Sequence, residues 1–259
     1  MTQRKQFIEQ LVLEAGVLIR KRLTEDMSIE KKGGRRSDLV TSVDFEVERL
    51  LVEKISKQFP DDSFLTEEKT VDLIESDNVW IIDPIDGTMN FIYSQRDFAI
   101  SVALYSKGQP KIGVVYDVMA DEIIIAQKGL GVTINNVPVE QIVPVELKQS
   151  IVDVSLKSIR NLKINGIADL YDMSPQVLSN RNIGSAAIRI AHIGLNRAHV
   201  YINDRLSIWD VAAAMLIVDE LGGTHNFKDV DLKYNSDSFF FMGANNQNVY
   251  DEIKRIFFK

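Results

Sequence analysis

Cysteine is absent from the 259 residues. That removes disulfides, Cys-ligated zinc, iron–sulfur clusters and thiol nucleophiles from consideration. Histidine is scarce: His192, His199 and His225 are the three present, and their spacing matches no ligand motif, so they read as packing or surface residues. Long apolar runs are missing too. Stretches such as Phe98 to Tyr105 fall far short of the ~20 residues a membrane-spanning helix needs. No signal-type apolar segment with a small-residue cleavage site follows the opening Met-Thr-Gln-Arg-Lys-Gln-Phe. Nor is there an excess of positive charge. A formal net charge of −7 disfavours nonspecific binding to nucleic acid or to an anionic membrane, while suiting acids gathered around divalent cations. The expectation is a soluble cytoplasmic protein with no nucleic-acid and no membrane partner. With 45% hydrophobic residues and no low-complexity tract, the chain can bury a sizeable core in one large domain or two packed ones.

What is present centres on Trp80-Ile-Ile-Asp83-Pro-Ile-Asp86-Gly-Thr-Met-Asn-Phe91. Three apolar residues predict a short buried strand, and Pro84, which has no N–H to donate, predicts its end at Asp83. A turn here throws the carboxylates of Asp83 and Asp86 to one side, with the Ile85 carbonyl between them. All three are hard oxygen donors of the kind Mg²⁺ prefers. Gly87 and Thr88 then let backbone N–H groups approach an anion, especially if a helix starts there. Taken alone, Asp-Pro and Asp-Gly are ordinary turn dipeptides, so the weight rests on what accompanies them.

Apolar periodicity predicts an amphipathic helix from Phe7 to Leu23 and another through Val47, Leu50, Leu51, Ile55 and Phe59. Between them, residues 30–37 are basic, glycine-bearing and aperiodic, a flexible loop that is either a plain hairpin or a cationic lid over an anionic substrate. Asp44 stands near the second helix start, where capping alone would account for it. Phe64-Leu65-Thr66 is a short strand leading into Glu67-Glu68, which as a lone pair would be exposed acids. Strand patterns follow at Asp97–Tyr105, Lys111–Val118, Glu122–Gln127 and Val132–Ile134, an antiparallel meander. Helix, helix, then strands is an α+β order.

The pattern thins at Val139–Gln149, where we place a domain boundary between residues 1–142 and 143–259. Beyond it come a strand at Ser150–Val154, a helix at 161–173, the small-residue turn Gly184-Ser185-Ala186, a helix at Ala187–Leu195 and a strand at Ala198–Ile202. This is the alternation of a smaller α/β unit. A strong helix with a Gly222-Gly223 stop spans Ser207–Leu221, and Asp210 in its first turn suits the helix dipole in any protein.

Four segments stand in fixed order: Asp38-Leu-Val-Thr-Ser-Val-Asp44, Glu67-Glu68, Asp83-Pro-Ile-Asp-Gly-Thr-Met-Asn-Phe91, and Trp209-Asp210-Val-Ala-Ala-Ala with Glu220-Leu-Gly-Gly223. Together they closely resemble the inositol monophosphatase family, part of the lithium-sensitive, metal-dependent phosphatase superfamily that includes fructose-1,6-bisphosphatases. The likeness spans nearly the whole chain. It implies a layered αβαβα sandwich, assembly as a homodimer, two or three Mg²⁺ ions, and hydrolysis of a phosphate monoester by metal-activated water without a covalent phosphoenzyme. It further implies that Glu67, Asp83 and the Ile85 carbonyl hold a first ion. Asp83, Asp86 and Asp210 would hold a second, and Glu67 would share a third. The catalytic set would be Glu67 and Thr88, with Asp44 orienting the threonine hydroxyl. The Gly87 and Thr88 amides would take the phosphate.

For the polyol, the resemblance points to Asp86, Gly184, Ser185, Ala186, Asn203 and Asp210. Relatives that use inositol commonly carry a glutamate where Asn203 stands. Lys32, Arg35 and Arg36 are all candidates for the lid cation. The 1–142 unit would then hold the lid and most metal ligands, and the 143–259 unit would supply Asp210 and substrate contacts. The expected substrate is myo-inositol 1-phosphate. The alternatives are NADP(H), fructose 1,6-bisphosphate or an adenosine bisphosphate in the same superfamily, or, in another class, a catalytically silent metal-binding regulatory relative.

Overall fold

The computed structural model describes residues 2–25, 29–31, 39–72, 76–227 and 238–258. Helix α1 (Thr2–Arg22) is followed by strand β1 (Ile29–Lys31), which pairs antiparallel with β2 (Leu39–Thr41). Glu30 and Lys31 are therefore strand residues and not loop. Lys32, Arg35 and Arg36, the lid candidates, lie outside the described residues. Helix α2 (Ser42–Gln58) opens on a capping box in which Thr41 is the N-cap and Asp44 the acid three residues on.

Next come β3 (Ser63–Thr66), β4 (Asn78–Asp86), a short helix α3 (Thr88–Tyr93), and then β5 (Ala99–Ser106), β6 (Gln109–Asp117), β7 (Glu122–Gln127), β8 (Gly131–Ile134) and β9 (Val137–Pro138). They form one seven-stranded sheet in the order β3-β4-β5-β6-β7-β8-β9. Only the β3–β4 pair is parallel; the rest is the antiparallel meander that the turn spacing predicts.

The second half supplies β10 (Ile151–Val154), α4 (Leu156–Ile164), β11 (Ser179–Arg181), α5 (Ala186–Gly194), β12 (Val200–Leu206), α6 (Ile208–Leu221), β13 (Thr224–His225), β14 (Phe239–Ala244) and α7 (Gln247–Phe257). Its five strands run in the order β11-β10-β12-β14-β13, parallel among β10, β11 and β12 and antiparallel toward β14 and β13. The expected helix at 161–173 is displaced. Ser155 caps α4 by accepting the Ser158 N–H, and the helix stops before Asn165 and Gly166, the latter at φ +68, which favours glycine. Strand β14 and helix α7 were not foreseen.

Burial sorts these elements into layers. On β4, Trp80 and Ile82 turn toward the Ile8, Leu11, Val12, Val47 and Leu51 face of α1 and α2, while Ile81 turns toward α5 and α6. The period-2 alternation of a strand makes this two-sided burial possible. Tyr201 and Phe241 of the second sheet pack on the other side of α5 and α6. Beyond that sheet, Val152, Val200 and Met242 meet Leu162 of α4 and Val249 and Ile253 of α7. The order is α1/α2, sheet, α5/α6, sheet, α4/α7: a layered αβαβα sandwich. Helix α6 is buried at every position from Val211 to Val218, as a helix between two sheets must be. No described helix is long and apolar enough to cross a membrane.

Candidate metal centre

The centre starts from an irregularity in β4. Across the β4–β5 pair, Asp83 aligns with Ser101 and Asp86 with Ala99. Three steps along β4 therefore oppose two along β5, and one extra residue is accommodated there as a bulge. Pro84 does not end the strand, as the sequence predicts; it sits inside this irregular stretch, where a missing N–H costs nothing. The parity matters for function. In a regular strand, residues three apart face opposite sides, and the extra residue allows Asp83 and Asp86 to converge. Both are buried, and the Asp83 Oδ1 accepts the Ile85 N–H at 3.0 Å.

Helix α5 closes on Asp86 from the other half of the chain. The Ser185 hydroxyl donates to Asp86 Oδ2, Ala187 N–H donates to the same oxygen at 2.8 Å, and Ala186 N–H donates to Oδ1 at 3.2 Å. Ser185 is also the helix N-cap, accepting the Ile188 N–H, so the first turn of α5 is aimed at a carboxylate, as its dipole favours. Burial pushes the Asp86 carboxyl up to about 6, against the pull of the Ser185, Ala187 and Ala186 donors, and the charge of Glu67 adds to the rise.

The Ile183–Ser185 turn is fixed by a residue whose side-chain role sequence reasoning missed. Asn90 Nδ2 donates to the Ile183 and Asp97 carbonyls, each at 2.7 Å. Gly184 takes φ +96, which favours glycine, and a Cβ there would press on the Asn90 amide at 3.3 Å. Behind the turn, Arg189 and Asp153 form a buried ion pair at 2.8 Å. Neither residue carries a motif signal, because each acts on a partner distant in sequence.

Asp44 and Asp210 play matching parts. Each is the third helical residue of a capping box. Asp44 Oδ2 accepts the Thr41 N–H at 2.9 Å and Asp210 Oδ2 accepts the Ser207 N–H at 2.7 Å. Both acids cap their helices, as the sequence expects, and each also lies against residues beyond its own helix. The other Asp44 oxygen, Oδ1, faces the Thr88 hydroxyl at 3.5 Å, and that hydroxyl donates to the Ile85 carbonyl at 3.3 Å. Asp210 brings an oxygen to Asp83 and Asp86, so that one ligand atom from each of the three lies within 4.8 Å of the others. Gly87, at φ +93, begins α3, and a Cβ there would meet Ser185 and the Asp97 and Gly184 carbonyls. Helices α2, α3, α5 and α6 thus all begin at this one place.

Asp83 is the electrostatic centre. Burial first, then the charges of Glu67, Asp86 and Asp210, and a hydrogen bond with Glu67 hold its carboxyl well above the usual carboxylate range. Glu67 follows β3 and is half-buried, its N–H on the Ile82 carbonyl at 3.1 Å. A group of mutually repelling acids, all offering oxygen and two of them buried, fits a hard divalent cation such as Mg²⁺. The histidines take no part in the acid cluster. His199 Nδ1 accepts the Ile151 N–H, His225 pairs with Asp219, and burial beside Arg189 and Arg197 pushes His192 down to about 4. Asn203 lies on β12, with its Nδ2 donating to the Tyr201 hydroxyl at 2.9 Å and its Oδ1 accepting the Arg205 N–H at 3.0 Å.

The model of the inositol monophosphatase family matches residues 1–240. The chain is 35% identical to inositol-1-monophosphatase of Bacillus subtilis, covering 86% of this chain and 85% of that one. It is 32% identical to the fructose-1,6-bisphosphatase/inositol-1-monophosphatase of Thermotoga maritima, covering 88% and 86%. Among solved structures, inositol monophosphatase II of Staphylococcus aureus MSSA476 is similar with a TM-score of 0.84 at 26% identity, covering 100% of this chain and 94% of that one. The inositol monophosphate-bound form of SaIMPase-II gives a TM-score of 0.82 at 27% identity, covering 98% and 93%.

Proposed function

Because the chain belongs to the inositol monophosphatase family, a family of phosphate-ester hydrolases, we propose that it is a Mg²⁺-dependent phosphomonoesterase acting on myo-inositol 1-phosphate. The observation that carries this reading is the convergence of Asp83, Asp86 and Asp210 within 4.8 Å, beside Glu67 and Thr88 and at the start of four helices. Glu67, Asp83, the Ile85 carbonyl, Asp86 and Asp210 would hold two or three ions. Bound there, the ions neutralise phosphoryl and leaving-group charge and lower the pKa of a water.

The chain's own groups do the rest. Thr88, steered by Asp44 and the Ile85 carbonyl, orients the attacking water together with Glu67. The Gly87 and Thr88 amides, at the start of α3, receive phosphate oxygens. Asp86 and the Gly184-Ser185-Ala186 turn face the polyol, with Asn203 and Asp210 near its ring. A cytoplasmic homodimer completes the proposal.

The alternative substrates, NADP(H), fructose 1,6-bisphosphate and an adenosine bisphosphate, are kept open by one specific observation. The Asn203 amide is neutral and already bonded at both ends within the protein, so it offers an inositol hydroxyl less than a glutamate does. The Thermotoga maritima relative is named as both a fructose-1,6-bisphosphatase and an inositol-1-monophosphatase.

Phosphate release from myo-inositol 1-phosphate, fructose 1,6-bisphosphate, NADP and adenosine 3′,5′-bisphosphate, each with Mg²⁺ and with EDTA, is the test. We expect turnover only with Mg²⁺, led by inositol 1-phosphate and inhibited by lithium. Leadership by another of the four moves the substrate and keeps the chemistry; no release from any of them refutes the proposal.

A further inference from the structure

Glu48 is a fully buried acid that no step above uses. It follows Asp44 on α2 by four residues, so the two carboxylates project from one face of the helix. Asp44 faces Thr88. Glu48 instead reaches the turn after β3. Its Oε2 accepts the Glu68 N–H at 2.8 Å, and its Oε1 accepts the Thr70 N–H at 2.9 Å and the Thr70 hydroxyl at 2.8 Å. Like charges one turn apart oppose each other on a helix, and here each is offset by its own set of donors.

The turn it holds is not a relaxed one. Lys69 takes φ +54, a left-handed conformation that a residue with a Cβ keeps only when its surroundings enforce it. On the sheet side, Glu67 N–H is bonded to the Ile82 carbonyl, one residue before Asp83. Glu67 is therefore held between the strand that leads into Asp83 and the helix that carries Asp44.

We infer that Glu48 is a positioning residue: by gripping the 68–70 backbone it keeps Glu67 in register with Asp83 and Thr88. Through Asp44 and Glu48, one face of α2 then aligns both residues that flank the attacking water. The inference rests on the reading of Glu67 as a metal ligand.

The test is calorimetric titration of the metal-free protein with Mg²⁺, alongside kcat and KM on inositol 1-phosphate. The proteins compared are wild type, Glu48→Gln, Thr70→Val, Glu67→Gln and the double variant Glu48→Gln/Glu67→Gln. Partners that orient a ligand commonly change metal affinity ten- to a hundredfold, and we expect Glu48→Gln to weaken Mg²⁺ binding about tenfold and to lower kcat with KM little moved. Thr70→Val removes one of the three donors and should shift Mg²⁺ affinity the same way, about two- to fivefold. In the Glu67→Gln background, Glu48→Gln should add nothing, because a residue acting through another is not additive with it.

Wild-type Mg²⁺ affinity in Glu48→Gln, or additive effects in the double variant, overturns the inference. Where Glu48→Gln does not fold, wild-type affinity in Thr70→Val overturns it equally. Wild-type affinity in Glu67→Gln refutes the ligand reading itself, and the inference with it.

Discussion

A carboxylate can cap a helix and still meet a second group, and two acids here do both. Asp44 uses one oxygen on the Thr41 cap and turns the other toward Thr88; Asp210 caps α6 and also joins Asp83 and Asp86. Asp83 is buried and surrounded by like charge, which disfavours its ionised form and which a bound cation would offset. Asp83→Asn should therefore do two opposite things. Activity with Mg²⁺ should fall by more than about a hundredfold, beyond what losing an orienting partner costs. In EDTA at neutral pH the same variant should melt above wild type, because an amide neither buries a charge there nor has to hold a proton that the unfolded chain would release. Phosphate release and paired thermal melts check both, and turnover equal to wild type would sink the assignment of Asp83.

At the scale of elements, the seat of α6 on the seven-stranded sheet decides where Asp210 stands. Gly113 on β6 makes the close approach possible: a Cβ there would lie 2.3 Å from the Ala213 carbonyl oxygen, a backbone atom that cannot rotate away. Tyr105 and Ser101 hydroxyls donate to the Ala212 and Trp209 carbonyls from the same sheet. Gly113→Ala should displace α6 and destabilise the protein by about 1–3 kcal/mol, as overpacking does. Turnover should fall as well, since Asp210 moves with the helix. A melt and an activity assay at saturating Mg²⁺ read both, and an unchanged melting temperature would show that the contact relaxes without strain.

At the scale of the molecule, the site draws on both halves of the chain. Asp83 and Asp86 come from the first sheet, Glu67 directly follows its strand β3, and Asp210 and Ser185 stand at the starts of the helices that lie between the sheets. A metal that ties them should bind the folded state alone and raise stability by about 2.7 kcal/mol at a hundred times its Kd. The pH dependence of the metal-free protein has a definite sign. Asp86 is raised from 3.8 to about 6 and Asp83 is raised too, so the folded state holds these protons more tightly than the unfolded chain. Stability must then fall as pH rises from about 4 through about 6, and return on acidification. Melts in EDTA across this range should show the decline, and Mg²⁺ should remove it above pH 6. A metal-free melting temperature that climbs between pH 4 and 6 would contradict the buried-acid account.

Much of this protein was legible before any fold was known. The helices α1, α2, α5 and α6, the strands of the meander and the capping place of Asp44 and Asp210 are local features. Periodicity, capping and turn chemistry depend on residues a few positions apart, so a sequence determines them by itself. The four motifs in order also point to the family and, through it, to the layers. What only the tertiary structure decided is of another kind. The β4 bulge is set by register against β5. Asp86 finds Ser185 99 residues later in the chain, Asn90 finds Ile183, and Glu48 grips a turn that begins beyond the next strand. Helices α4 and α7, by contrast, carry local signals that sequence reasoning missed: the Ser155 and Asn246 caps and, in α7, Val249, Ile253 and Phe257 at four-residue spacing. The place of β14 does belong here, because it is set by pairing with β12 and β13. Such pairings are fixed by which layers pack together, and packing is a property of the assembled core that no short window of sequence contains.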